Sequence, residues 1–81
     1  MLILENVKLI EGKDTGKTFD INLDGVDAIS DYFPLVNNGK SQVRSAEADK
    51  KSCVLLMRGG AVFPIAKSRA SVLQQMKNYR G

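Results

Sequence analysis

The chain has 81 residues, 43% of them hydrophobic, with twelve Lys or Arg against nine Asp or Glu and a net charge of +3. That length makes one domain, close to the lower size at which a single core stands alone, and no apolar run reaches the length a membrane span needs. There is no histidine and one cysteine, Cys53, which excludes an internal disulfide, Ser-His and Cys-His pairs, and most transition-metal sites.

A reducing cytoplasm is the expected compartment. Glu5 interrupts the opening apolar stretch too early for a signal peptide. Charge is unevenly spread. Residues 1–36 hold three lysines against seven carboxylates, a net −4, and residues 37–81 hold nine cations against Glu47 and Asp49, a net +7. No acidic side chain follows Asp49. Such a field favours an anionic partner, DNA or an acidic protein, unless the two halves fold together and cancel.

In chain order, residues 2–10 read as a strand with Ile3, Val7 and Leu9 on one face. Residues 11–17, with two glycines and four charged side chains, read as a loop. Residues 18–23 alternate, Phe19, Ile21 and Leu23 inward and Thr18, Asp20 and Asn22 outward, until Asp24-Gly25 breaks the strand. A short turn through Asp27 precedes an extended stretch from Ala28, where Pro34 argues for an edge position. Asn37-Asn38-Gly39-Lys40 is a turn signal, and residues 37–51 are expected as a mobile loop, an insertion or a weak edge hairpin.

Residues 53–57, CVLLM, are apolar on both faces and are expected as a central, buried strand. Gly59-Gly60 is expected as a two-residue hairpin turn into a partner strand over 61–66, whose outer edge Pro64 would leave free. Ser68 can cap a helix over 69–79 with Val72, Leu73, Met76 and Tyr79 as its apolar stripe. The pattern is α+β: a small, mainly antiparallel sheet with one C-terminal helix packed on it, in a single domain spanning 1–81.

Three motifs in the first half compete for attention. GKDTGKT resembles a phosphate loop, but three residues rather than four separate Gly12 from Gly16, and a strand pattern follows where a helix must begin. DTG suggests an aspartic protease, yet Asp14 sits in a charged loop where its carboxylate stays ionised and solvated. Asp20, Asn22, Asp24, Gly25 and Asp31 fall at calcium-loop positions, but Asp27 occupies the position that should be apolar, and Ile21 and Leu23 fit a strand instead. No catalytic residue, metal or cofactor is expected, and the chain is read as non-catalytic.

Residues 16–29, GKTFDINLDGVDAI, resemble the H-R-S-Y-L-V-N-L-D-x-I-x-x-I signature of LytTR-type DNA-binding domains of bacterial response regulators. Val54 to Arg69, followed by Leu73, is similar to that family's L-x-L-x-x-G-x-x-x-P-V-S-R-S-R-x-x-x-L-K ending. The resemblance covers residues 16–81, about the second half of such a domain, and the first half is missing. The short FlbD-like flagellar proteins have a related skeleton and a better-matching length, and for them the resemblance implies no DNA contact. The LytTR resemblance implies DNA contact through loops, with that family's arginine positions falling on Lys17 and Lys67. With the basic C-terminal side chains added, the expected nucleic-acid contacts are Lys17, Arg58, Lys67, Arg69, Lys77 and Arg80. The first reading is thus a small DNA-binding module whose affinity comes mostly from phosphate. The alternative is a protein-interaction or accessory protein, FlbD-like or encoded by a mobile element, dimerising through a sheet edge.

Overall fold

The computed structural model describes residues 2–80, without the side chains of 79 and 80. Seven strands precede one helix: β1 (Ile3–Lys8), β2 (Thr18–Asn22), a 3-10 turn (Leu23–Gly25), β3 (Val26–Tyr32), β4 (Leu35–Asn38), β5 (Ser41–Arg44), β6 (Asp49–Met57), β7 (Val62–Ile65) and α1 (Arg69–Arg80). All strand pairs are antiparallel: β1 with β2, β6 between β3 and β7, and β4 with β5. The architecture is therefore α+β, with the helix packed on the β3–β6–β7 sheet.

β1 departs from simple alternation. Leu4 faces Ile21 and Val7 faces Phe19, so one strand advances three residues while its partner advances two. Asn6 takes up the excess in the left-handed region, at φ 53°, which asparagine tolerates better than other side chains with a Cβ. Its N–H donates to Oδ1 of Asp20 at 2.9 Å. The bulge turns Leu4 rather than Ile3 into the core beside Val7 and Leu9. Ile21 of β2 and Leu23 at the start of the 3-10 turn are buried and Phe19 packs against them, as the alternation predicts.

The GKDTGKT loop spends its amides on itself. The Thr15, Gly16 and Lys17 N–H groups donate to carbonyls of Gly12, Leu9 and Asp14 at 3.2, 2.8 and 3.0 Å. None of the three points outward to cradle a phosphate. The residues that imitate a calcium loop are likewise committed. Asp20 accepts from the Asn6 amide, and Asn22 caps the 3-10 turn by accepting the Asp24 N–H at 3.0 Å.

The tail of β1 continues the sheet past β7. Leu9 bridges Ile65, the Ile10 N–H donates to the Pro64 carbonyl at 3.1 Å, and the Ala66 N–H donates to Lys8 at 3.0 Å. The outer edge of β7, expected to be free, is therefore covered. The β6–β7 connection is also longer than the expected two residues. Met57 N–H reaches Ala61, and the three-residue loop between them holds Gly59 and Gly60 at φ 94° and 100°.

One core serves all layers: Leu4, Val7, Leu9, Ile21, Leu23, Cys53, Leu55, Ile65 and Val72. Ser68 caps α1, its Oγ accepting the Ser71 N–H at 3.0 Å. Val72 and Met76 turn inward, whereas Leu73 of the expected stripe stays 39% exposed. Tyr79, the last member of that stripe, has its side chain outside the described residues. Among the described residues no helix is long and apolar enough to cross a membrane.

Residues 37–51, expected as a mobile loop or insertion, carry the end of β4, all of β5 and the start of β6. The β4–β5 hairpin turns at Gly39, φ 67°, the first central position of a two-residue loop. Among the described residues it pairs with no other strand, and all eight of its strand residues are exposed. This arm accompanies an elongated shape, 48 × 23 × 21 Å. The radius of gyration is 13.4 Å, against about 12 Å for a compact chain of this length.

Candidate interaction surface

Strand alternation divides the β3–β6–β7 sheet into two unlike faces. Cys53, Leu55, Phe63 and Ile65 point into the core, and Ile29 and Met57 join them. The opposite face consists of two rows across the sheet, Ala28–Leu56–Val62 and Ser30–Val54–Pro64. None of the six side chains is ionisable. Four of them stay exposed, Leu56 at 36% and Val62 at 54% among them, while Val54 and Pro64 are half-buried. The run CVLLM, apolar on both faces, predicts a central strand buried on both. β6 is central in its sheet, but only its inner face is fully buried, with Val54 half-buried and Leu56 exposed on the other.

At one end this face runs into a shallow cavity of about 150 Å³ bordered by Tyr32, Phe33, Val54, Val62 and Pro64. Its polar wall is a network that sequence reasoning missed. Arg44 on the arm binds both carboxylate oxygens of Glu11, with Nη2 to Oε2 at 2.8 Å. The Tyr32 hydroxyl donates to the same carboxylate at 3.0 Å. Arg44 also donates to the Phe33 carbonyl at 3.0 Å and lies over the Tyr32 ring, 6.0 Å from its centre. The Arg44 hydrogen bond, followed by that from Tyr32, outweighs desolvation and lowers the Glu11 pKa below 4.5. Burial, then the neighbouring carboxylate, raises the Tyr32 pKa above 10.0. The network fastens the base of the arm to the β1–β2 loop, 33 residues away in sequence. Nothing in residue spacing announces such a contact.

The free edge of the sheet is β3. Beside it, between the strand and α1, lies the larger groove, about 350 Å³, formed by Val26, Ala28, Ile29, Leu73 and Met76 with Asp27 and Arg69.

The cations expected to contact nucleic acid are placed as follows. Lys17 pairs with Asp14 at 3.1 Å, Arg58 with Asp27 at 3.5 Å and Arg69 with Asp31 at 2.9 Å. Asp27 and Asp31 lie about 13 Å apart along a strand, so Arg58 and Arg69 are held toward opposite ends of the sheet. Lys67 is half-buried before the helix and Lys77 is exposed on it, and neither forms an ion pair among the described residues. The Arg80 side chain lies outside the described residues. Part of the basic half is thus engaged by the acidic half, the cancellation the charge pattern allowed.

Comparison of the chain with protein-family models, curated proteins and solved structures gave no match.

Proposed function

We propose that this chain is a non-catalytic protein-interaction module of a reducing cytoplasm, docking a partner on the open face of its β3–β6–β7 sheet. One observation carries the reading: the uncharged row Ala28–Leu56–Val62 is exposed, with the half-buried Val54 and Pro64 beside it. Exposed, contiguous apolar surface of this kind marks interaction sites in small proteins. The related skeleton of the short FlbD-like proteins supports the same class of function. A partner would bring an apolar helix or sheet face, with polar groups at its rim to meet the Glu11–Arg44 pair.

Affinity capture with the intact chain, quantified against Leu56→Glu and Val62→Glu, tests the reading. The expected result is a protein retained in stoichiometric amount by the wild type and lost with both variants. Equal capture by all three would overturn it.

DNA binding through the basic C-terminal residues is the second reading, as the LytTR resemblance implies. Lys67 and Lys77, outside any ion pair among the described residues, favour it, as does the lack of acidic side chains after Asp49. Anisotropy of labelled duplex DNA at two salt concentrations, with Lys67→Ala and Lys77→Ala, separates the two. Salt-sensitive binding weakened by both variants supports DNA, and no binding at low salt removes it.

A further inference from the structure

β3 and β4 follow one another along the chain with only Phe33 and Pro34 between them. β3 has β6 on one side and β4 has β5 on one side, and among the described residues no strand lies on the other side of either. Pro34 does not interrupt the free side. Its carbonyl accepts the Ser45 N–H at 2.8 Å, so its polar atoms, and its missing N–H, face β5. Residues 26–38 therefore offer one long unpaired edge. Lysine, a charge that natural edges use especially for protection, is absent from Val26 to Asn38, and the carboxylates there are Asp27 and Asp31.

We infer that this edge pairs with the same edge of a second copy, antiparallel about a two-fold axis. The charge along the segment identifies the occupant. Asp27 and Asp31 on this edge are already held by Arg58 and Arg69, and the charges at its two ends outside any ion pair among the described residues are Asp24, just before β3, and Lys40, just after β4. Antiparallel self-pairing brings the acidic end of each copy to the basic end of the other, twice, which parallel pairing would not do. A ladder centred on Tyr32 sets Ile29 opposite Leu35 of the second copy and brings Lys40 at the arm's tip to Asp24 of the second copy's 3-10 turn. Leu35 and Val36, 42% and 43% exposed on a hairpin that no sheet supports, then gain neighbours. A lone two-stranded hairpin is marginal in water, so the second copy supplies what the arm lacks. Joined this way, the β4–β5 arm of each copy extends the β3–β6–β7 sheet of the other to five strands.

This inference uses the edge, not the face, and stands or falls separately from the proposed function. Sedimentation equilibrium on the intact chain, across low to high micromolar concentration, reads it. The expected result is reversible association from 8.9 kDa to twice that mass. Leu35→Lys should leave a folded monomer by circular dichroism. Lys40→Glu and Asp24→Lys should each weaken association by about tenfold, and their combination should restore most of it. Val62→Glu, on the open face, should leave association unchanged. A monomer at every concentration overturns the inference. So does a dimer indifferent to Leu35→Lys and to the charge exchange, or one broken only by Val62→Glu.

Discussion

Cys53 shows how far a residue's chemistry is decided by its place in the sheet. It is fully buried on the inner face of β6, and its pKa is pushed up to about 11, by desolvation first, with the Arg69 charge opposing and the Asp31 charge adding. The thiolate is the reactive form, so both access and protonation protect this sulfur. Titration with a thiol reagent at pH 7.5 should therefore show no fast phase for the native protein and one full equivalent on unfolding in denaturant. A fast native reaction would mean that β6 opens locally, at a strand expected to be among the last to do so. The burial of Cys53 was legible from the apolar run around it. The inward turn of Leu4 was not, because it depends on Asn6 adopting a positive φ beside Asp20, and an asparagine by itself signals turns of many kinds rather than a bulge.

The arm is the element whose turn could be read and whose form and placement could not. Asn37-Asn38-Gly39-Lys40 marks a turn on sight, whereas the attachment of the arm to the body rests on the Glu11–Arg44–Tyr32 anchor, a contact between distant segments. That anchor has a pH window. The Glu11 pKa lies below its ordinary 4.5, chiefly through the Arg44 hydrogen bond, so its contribution is present above that value and lost as pH falls through the folded pKa. The Tyr32 pKa lies above 10.0, chiefly through burial, so its contribution is full below that value and lost as pH rises through the folded pKa. Amide exchange across residues 35–44 should therefore be slowest, after correction for intrinsic rates, between these limits. Glu11→Gln should abolish the acid-side loss and speed exchange in the arm by about tenfold at neutral pH, while β6 is unaffected. Uniform acceleration throughout the molecule would instead make the anchor part of the global fold. The helix shows a related limit: Ser68 and the stripe beginning at Val72 locate α1, but not that Leu73 borders a groove rather than the core.

At the scale of the whole molecule, one core and one helix must serve a sheet that is apolar on both sides. The binary pattern of β6 was legible, but pattern alone cannot say whether a second apolar face is covered by the same chain or kept for another molecule. Two adjacent leucines separate these cases. Leu55 is fully buried in the core, and Leu55→Ala should cost about 2–5 kcal/mol in denaturant unfolding, by lost transfer energy and the cavity left behind. Leu56 stands on the open face at 36% exposure. At concentrations where the chain is monomeric, Leu56→Glu should change stability by no more than about 0.5–1 kcal/mol, the range of surface and strand-propensity effects. The same substitution should abolish capture of a partner. If Leu56→Glu instead unfolds the isolated chain as readily as Leu55→Ala does, this face is covered within the native chain, and both rows belong to the core. If its cost is small and capture is lost, then the uncharged rows contribute little to the fold and are retained for what binds them.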